Sequence, residues 1–122
     1  MTQPNFTILF VDNVTKSAEF YHDLFGIKPV EASETFGLFI LQNGLKFGLW
    51  SRHTAQPPVM FTGGGAEIVF QVEKDGDVDA RHRDWKAKGL AIQQEPTEMD
   101  FGYTFVATDP DGHRLRVYAV HD

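Results

Sequence analysis

The chain has 122 residues, 42% of them apolar and 23% charged, an ordinary balance for a soluble globular protein and enough for one compact domain or two half-domains sharing a core. Its formal net charge of −6, with no basic run, speaks against a nucleic-acid or anionic-membrane surface. The lack of cysteine excludes disulfides, thiolate chemistry and cysteine–zinc sites, while 11 phenylalanines require an aromatic-rich core or pocket.

The segment Met1–Asn5 has neither a charged n-region nor an apolar h-region, and no apolar run approaches a membrane span, so a cytoplasmic location is expected. Residues 5–11 read as a first strand, with Phe6, Ile8 and Phe10 on one face, expected to pack in the core under a helix as Ile68, Phe70, Leu115 and Val117 do, and Asn5, Thr7 and Leu9 on the other. Asp12-Asn13 begins a turn. Residues 15–25 carry helical spacing, with Phe20, Tyr21, Leu24 and Phe25 on one stripe and Gly26 as the stop. Short strands are predicted over 28–31 and 35–41, then an Asn43-Gly44 turn, then a strand over 45–51. Pro57-Pro58 and Gly63-Gly64-Gly65 mark residues 53–65 as a linker.

The second half repeats this order. Residues 66–72 form a strand with Ile68, Phe70 and Val72 on one face. Asp75 or Asp77 can cap a helix running to Lys88, with Val78, His82 and Trp85 inward and Gly89 as the stop. Strands over 91–94, 103–107 and 113–120 complete it. Before the last strand, Asp109-Pro110-Asp111-Gly112 is a tight-turn sequence suited to a two-residue hairpin. The strand after it alternates, placing Leu115 and Val117 on one face and Arg114, Arg116 and Tyr118 on the other.

Asn43-Gly44 and the strand behind it repeat that grammar: Gly44 matches Gly112, Lys46 matches Arg114, Phe47 matches Leu115 and Trp50 matches Tyr118. Two copies of one β-α-β-β-β unit are therefore predicted, about 1–52 and about 66–122, within a single α+β domain spanning the chain.

Paired units of this length, with Asp12 after strand one, Phe20-Tyr21 and Leu24-Phe25-Gly26 on helix one, and Asp109-Pro110-Asp111-Gly112 before the last strand, resemble the vicinal oxygen chelate superfamily. That superfamily includes glyoxalase I, extradiol dioxygenases and bleomycin-binding proteins. The resemblance implies that the two modules curl into a cup-shaped mixed sheet around a ligand cavity, completed by a second subunit in a homodimer.

Metal-binding members carry ligands on the first and last strands of each unit. Alignment on Asp12 places those positions at Asn5, Gly48, Glu67 and Arg116: a weak amide, no donor, one carboxylate and a permanent cation. No metal and no cofactor are expected. Nor do the five histidines supply a site: His22 and His82 lie on helices, His53 in the linker, His121 in the tail, and His113 shares the parity of Leu115.

Within the superfamily the chain is similar to phenazine-antibiotic resistance proteins, through Phe47-Gly48-Leu49-Trp50-Ser51, Asp77-Val78-Asp79 with Trp85, and Phe101 to Phe105 leading into the Asp-Pro-Asp-Gly turn. The resemblance implies that Trp50 stacks on a planar ligand; read alone, Trp50 also fits a core or interface aromatic. Gly48 is either a packing residue or room for a ring over Trp50. Glu67 and Arg116 fit a structural ion pair or a binding role, and both can hold. Phe101 is a turn residue or a lid. Arg116, or Arg114 beside it, would meet a carboxylate or carbonyl on the ligand edge, and Tyr118 would line a wall related to that of Trp50.

The function expected is metal-independent sequestration of a planar aromatic small molecule, in a role of phenazine-like antibiotic resistance. The alternative is a metal-dependent lyase, isomerase or dioxygenase of the same fold, which the missing ligands disfavour. A metal-free enzyme using Glu67 as a base lacks a nucleophile–base pair to support it.

Overall fold

The side chain of Asn13 decides where the first helix begins. In a computed structural model that describes residues 2–120, its Oδ1 accepts the Lys16 N–H at 3.0 Å, satisfying one of the amides a helix start leaves unpaired. Strand β1 (Phe6–Val11) precedes this cap and helix α1 (Val14–Phe25) follows it. Gly26, at φ 73°, closes the helix by giving its N–H to His22 O. Strands β2 (Glu31–Ala32), β3 (Phe36–Ile40) and β4 (Lys46–Ser51) complete the unit. They form a four-stranded sheet in the order β1-β4-β3-β2, with β1 parallel to β4 and the other pairs antiparallel.

The second half repeats this topology. Strand β5 (Glu67–Val72), helix α2 (Asp75–Ala87), and strands β6 (Ala91–Met99), β7 (Gly102–Thr108) and β8 (Arg114–Val120) build a sheet in the order β5-β8-β7-β6. Again the first strand is parallel to the last. The chain divides into two compact units between Gly63 and Gly64. No described helix is long and apolar enough to cross a membrane.

Each sheet buries one face under its own helix. In the first unit Val14, Ser17, Ala18 and Tyr21 of α1 are buried, as are Phe39, Phe47 and Leu49. Tyr21 and Phe25 meet the Phe47 ring at centroid distances of 4.9 and 5.1 Å. In the second unit Trp85 sits edge-on against Phe70 and Phe105, at 5.3 and 5.4 Å. Leu115 and Val117 are fully buried, and their register partners Ile68 and Phe70 share that face, as the alternation predicts.

The first strand departs from its expectation. Its buried residues are Leu9 and Val11, while Phe6, Ile8 and Phe10 lie on the face turned away from α1. Both faces of β1 are apolar, so alternation cannot choose between them. Parallel pairing with β4 does. It sets Thr7 and Leu9 beside Phe47 and Leu49, and Phe6, Ile8 and Phe10 beside Lys46, Gly48 and Trp50.

Four local readings also change, the first being β2, which forms over Glu31–Ala32 rather than 28–31. Lys74, not an aspartate, holds the N-cap position of α2, and Asp77 reaches back to accept the Lys74 N–H at 3.1 Å. Strand β6 continues through Pro96 to Met99, beyond the predicted end at Gln94, because it is the sheet edge and its register shifts between Gln94 and Thr97. The Asp109 turn has three residues rather than two between its paired ends. Asp109 N–H bonds His113 O at 3.0 Å, with Gly112 at φ 83°. The Asp109 carboxylate accepts the amides of Asp111 and His113 at 2.9 and 2.8 Å. The Asn43-Gly44 turn is closed alike, by Leu41 N–H to Leu45 O at 2.9 Å with Gly44 at φ 90°.

Candidate functional site

Each sheet presents a face not covered by its helix, and the two faces differ in chemistry. On the first sheet the register gathers Phe6, Ile8 and Phe10 of β1, Lys46, Gly48 and Trp50 of β4, and Phe36, Leu38 and Ile40 of β3. Its charged residues are Lys46, with Nζ 5.8 Å from the Phe6 ring centroid, and Glu31 of β2, opposite Leu38 at the sheet edge. Trp50 is half-buried, and the Phe10 ring lies 5.9 Å from it at an interplanar angle of 36°.

Gly48 sits at the centre of this face. A Cβ there would stand 2.9 Å from Phe6 Cε1, 3.1 Å from Phe36 Cζ and 3.4 Å from Ile8 Cγ1. The missing side chain is therefore used by the protein's own rings, which lie down over the strand, and the open space expected above Gly48 is filled. Phe6 and Ile8 still expose 37% and 38% of their surface, so an unpaired aromatic surface remains. Sequence reasoning assigned both to the core. The signal that could have placed them was Gly48 itself, since a glycine in mid-strand marks a close approach by a neighbour.

On the second sheet the matching face is polar. Arg116 holds the Glu67 carboxylate with two parallel bonds, Nε to Oε1 at 2.8 Å and Nη2 to Oε2 at 3.1 Å. Its Nη1 donates to Thr104 Oγ1 at 3.1 Å and to Gln94 Oε1 at 3.3 Å. Arg114 Nη2 lies 2.8 Å from Glu67 Oε2. The hydrogen bonds from Arg116 hold the Glu67 carboxyl below the usual range; burial opposes them, and the charges of Arg116 and then Arg114 add smaller lowering effects.

The Phe101 ring, in the turn before β7, lies 5.7 Å from Arg116 Cζ and meets the Tyr118 ring edge-on at 5.8 Å. Tyr118 OH donates to Gln71 Oε1 at 3.2 Å. Glu67, Phe101, Arg114, Arg116 and Tyr118 thus form one connected set on the second sheet, whereas Gly48 and Trp50 belong to the first. Thr104 and Gln94, which sequence reasoning did not single out, fix the pose of Arg116. The Nη1 donors of Arg116, expected to meet a ligand edge, are committed to them.

The topology and the repeat have counterparts among known proteins. Residues 3–117 match the sequence model of the Glyoxalase/Bleomycin resistance protein/Dioxygenase superfamily. The chain belongs to that superfamily. It is 32% identical over 117 residues to the phenazine antibiotic resistance protein EhpR of Enterobacter agglomerans, covering 93% of this chain and 89% of that protein. Among solved structures it is similar to protein ATC0852 of Agrobacterium tumefaciens, at 57% identity and a TM-score of 0.93 with both chains fully covered. A glyoxalase-related enzyme of Fulvimarina pelagi shares the fold alone, at 20% identity and a TM-score of 0.84 over 98% of this chain and 88% of that one.

Superfamily membership raises the question of a metal, and the residues do not fit one. Glu67 stands opposite Arg114 as Phe6 stands opposite Lys46, so the first-strand ligand position in the first unit is Phe6 and not Asn5. Asn5 instead precedes the strand and accepts the Lys46 N–H through its backbone carbonyl. Phe6 and Gly48 have no donor atom, both Glu67 oxygens are engaged by arginine, and Arg116 carries a permanent positive charge. Among the described residues no three His, Cys, Asp or Glu side chains gather for an ion. His53 and His82 pair with Asp12 and Glu95 at 2.8 Å, and His113 is buried. His121 lies outside the described residues.

Proposed function

We propose that this protein is a non-catalytic, resistance-type binder that sequesters a planar aromatic small molecule of the phenazine kind without a metal. The observation that carries the reading is the uncovered face of the first sheet. There Trp50 and Phe10 present flat ring surface, and Phe6 and Gly48 stand where metal-binding members of the superfamily would need donors. The likeness to EhpR supports both the resistance role and the phenazine class. In this reading Trp50 stacks on the ligand, with Phe10 as its ring neighbour, and Gly48 keeps the sheet surface level beneath the rings.

The state of Glu67 adds support. A general base for chemistry near neutral pH needs a raised pKa and a free lone pair. Glu67 is held low and paired on both oxygens. We further propose a cytoplasmic homodimer. Met60 and Phe61, 86% and 72% exposed between β4 and β5, are the kind of apolar surface a second copy would cover.

The deciding experiment is a titration of phenazine into the protein, followed by tryptophan fluorescence. Trp85 is buried against Phe70 and Phe105, so quenching would report on the half-buried Trp50. Saturable quenching at micromolar phenazine is expected. No change up to the solubility limit of phenazine would overturn the reading.

A further inference from the structure

On the α1 side of the first sheet, opposite its aromatic face, the first unit holds a cavity of about 410 Å³, a size ordinary for small-molecule sites. One wall is α1, where Ala18, Glu19 and His22 share a face at helical spacing. The other is β2 and the turn after it, with Ala32, Ser33 and Glu34. Close packing shuts the floor. Strand β3 meets α1 at Gly37, the register partner of Ala32, where a Cβ would stand 3.5 Å from Val14 Cγ1 and 3.9 Å from Ala18 Cβ. The small side chains of Ala18 and Ala32 leave the space above that floor. Ser33 fixes the turn wall, its Oγ accepting the Thr35 and Phe36 amides at 3.3 and 3.1 Å.

The charge of this cavity is one-sided. Glu19 and Glu34 stand on opposite walls, and no lysine or arginine lines it. Among the described residues neither carboxylate has a hydrogen bond or an ion-pair partner. We infer that the cavity is a binding site for a small organic cation, an ammonium group carried on an apolar body. The apolar body covers Ala18, Pro29 and Ala32, and the ammonium has three donors to divide among Glu19, Glu34 and a neutral-form His22 imidazole. An anion would meet two like charges there, and a neutral ring would gain nothing from either. A bare metal ion does not suit the site: no three His, Cys, Asp or Glu side chains gather for one among the described residues, and a hydrated ion makes no use of an apolar floor. No residue is shared with the aromatic face, so the inference stands apart from the phenazine reading.

The test uses the whole 15N-labelled protein at constant pH and ionic strength, with benzylamine, its neutral analogue benzyl alcohol, and benzoate as probes. Benzylamine should shift the amide resonances of Glu19, His22, Ser33 and Glu34 saturably, with a dissociation constant of about 1 mM, ordinary for a ligand of so few atoms. Benzyl alcohol should bind roughly tenfold more weakly, and benzoate should leave those resonances in place. Combining Glu19→Gln with Glu34→Gln should reduce benzylamine to the level of the alcohol. Ala32→Phe, which fills the cavity from an exposed position, should abolish binding of both while the rest of the spectrum reports an intact fold. Equal binding of amine and alcohol would overturn the cation assignment, and shifts that survive in Ala32→Phe would overturn the site. Absence of any saturable benzylamine shift in the wild type would overturn both.

Discussion

The two tryptophans of this chain separate a binding residue from a structural one. Trp85 is 1% exposed and wedged between Phe70 and Phe105, so Trp85→Ala should cost about 3–5 kcal/mol of stability, as large core truncations do. Trp50 lies half-buried on a sheet face with Phe10 as its ring neighbour. Stacking is worth about 0.5–1.5 kcal/mol beyond the area it buries, and that area adds about 25 cal/mol per Å². Trp50→Ala should therefore weaken phenazine binding by well over tenfold, on the order of 1.4 kcal/mol per decade, while destabilising the fold less than Trp85→Ala does. Calorimetric titration and urea melts of the two variants provide the check, and equal binding by wild type and Trp50→Ala would place the ligand elsewhere. Glu67 makes a pH prediction. Its folded-state pKa lies below the ordinary value of 4.5, so its contribution to stability is present above that value and is lost as pH falls through the lower, folded value. Glu67→Gln should lower the urea midpoint at neutral pH and flatten the acid side of the profile, because two arginines then face an uncharged amide.

At the scale of elements, Gly48 links the strand backbone to the aromatic face. An added methyl would meet Phe6 Cε1 at 2.9 Å and Phe36 Cζ at 3.1 Å, closer than van der Waals contact allows. Alanine in a strand gains about 0.5–1 kcal/mol over glycine in chain entropy, whereas overpacking costs about 1–3 kcal/mol. Overpacking should win. Gly48→Ala is expected to lose about 1 kcal/mol in urea denaturation and to change phenazine affinity, because the rings of Phe6 and Phe36 must lift from the strand. A Gly48→Ala variant with unaltered stability and affinity would mean that those rings are loosely held and take no part in shaping the face.

For the molecule as a whole, the replacement of all four ligand positions predicts indifference to metals. Protein purified without chelators should carry no stoichiometric zinc, nickel, iron or manganese, and chelator should leave its thermal midpoint unmoved. One tightly held ion per chain by elemental analysis would restore the enzyme reading. The exposed Met60 and Phe61, together with Phe6, Ile8 and Ile40, are apolar surface that a second copy can cover. Light scattering at micromolar concentration should return the mass of two chains, and a monomer there would refute the dimer.

What the sequence settled alone came from local chemistry. Asn43-Gly44 and Asp109-Pro110-Asp111-Gly112 announced two matching turns, because glycine is the residue that takes a positive φ without strain. Alternation in β8 placed Leu115 and Val117 inward and Arg114, Arg116 and Tyr118 outward, because polar and apolar residues there keep strict step. The repeat of those signals was enough to give the element order and the family. Tertiary structure decided whatever depended on a partner strand. The facing of β1 is invisible locally, since apolar residues occupy both of its sides, and only its parallel register with β4 turns Phe6, Ile8 and Phe10 outward. The same register moved the ligand position from Asn5 to Phe6 and filled the space above Gly48 with rings. On the second sheet, Arg114 and Arg116 read alike in the sequence, as two cations one residue apart. Their difference rests on Thr104 and Gln94, side chains brought from β7 and β6 by antiparallel pairing, which take the Nη1 donors of Arg116, while Arg114 meets Glu67 through Nη2.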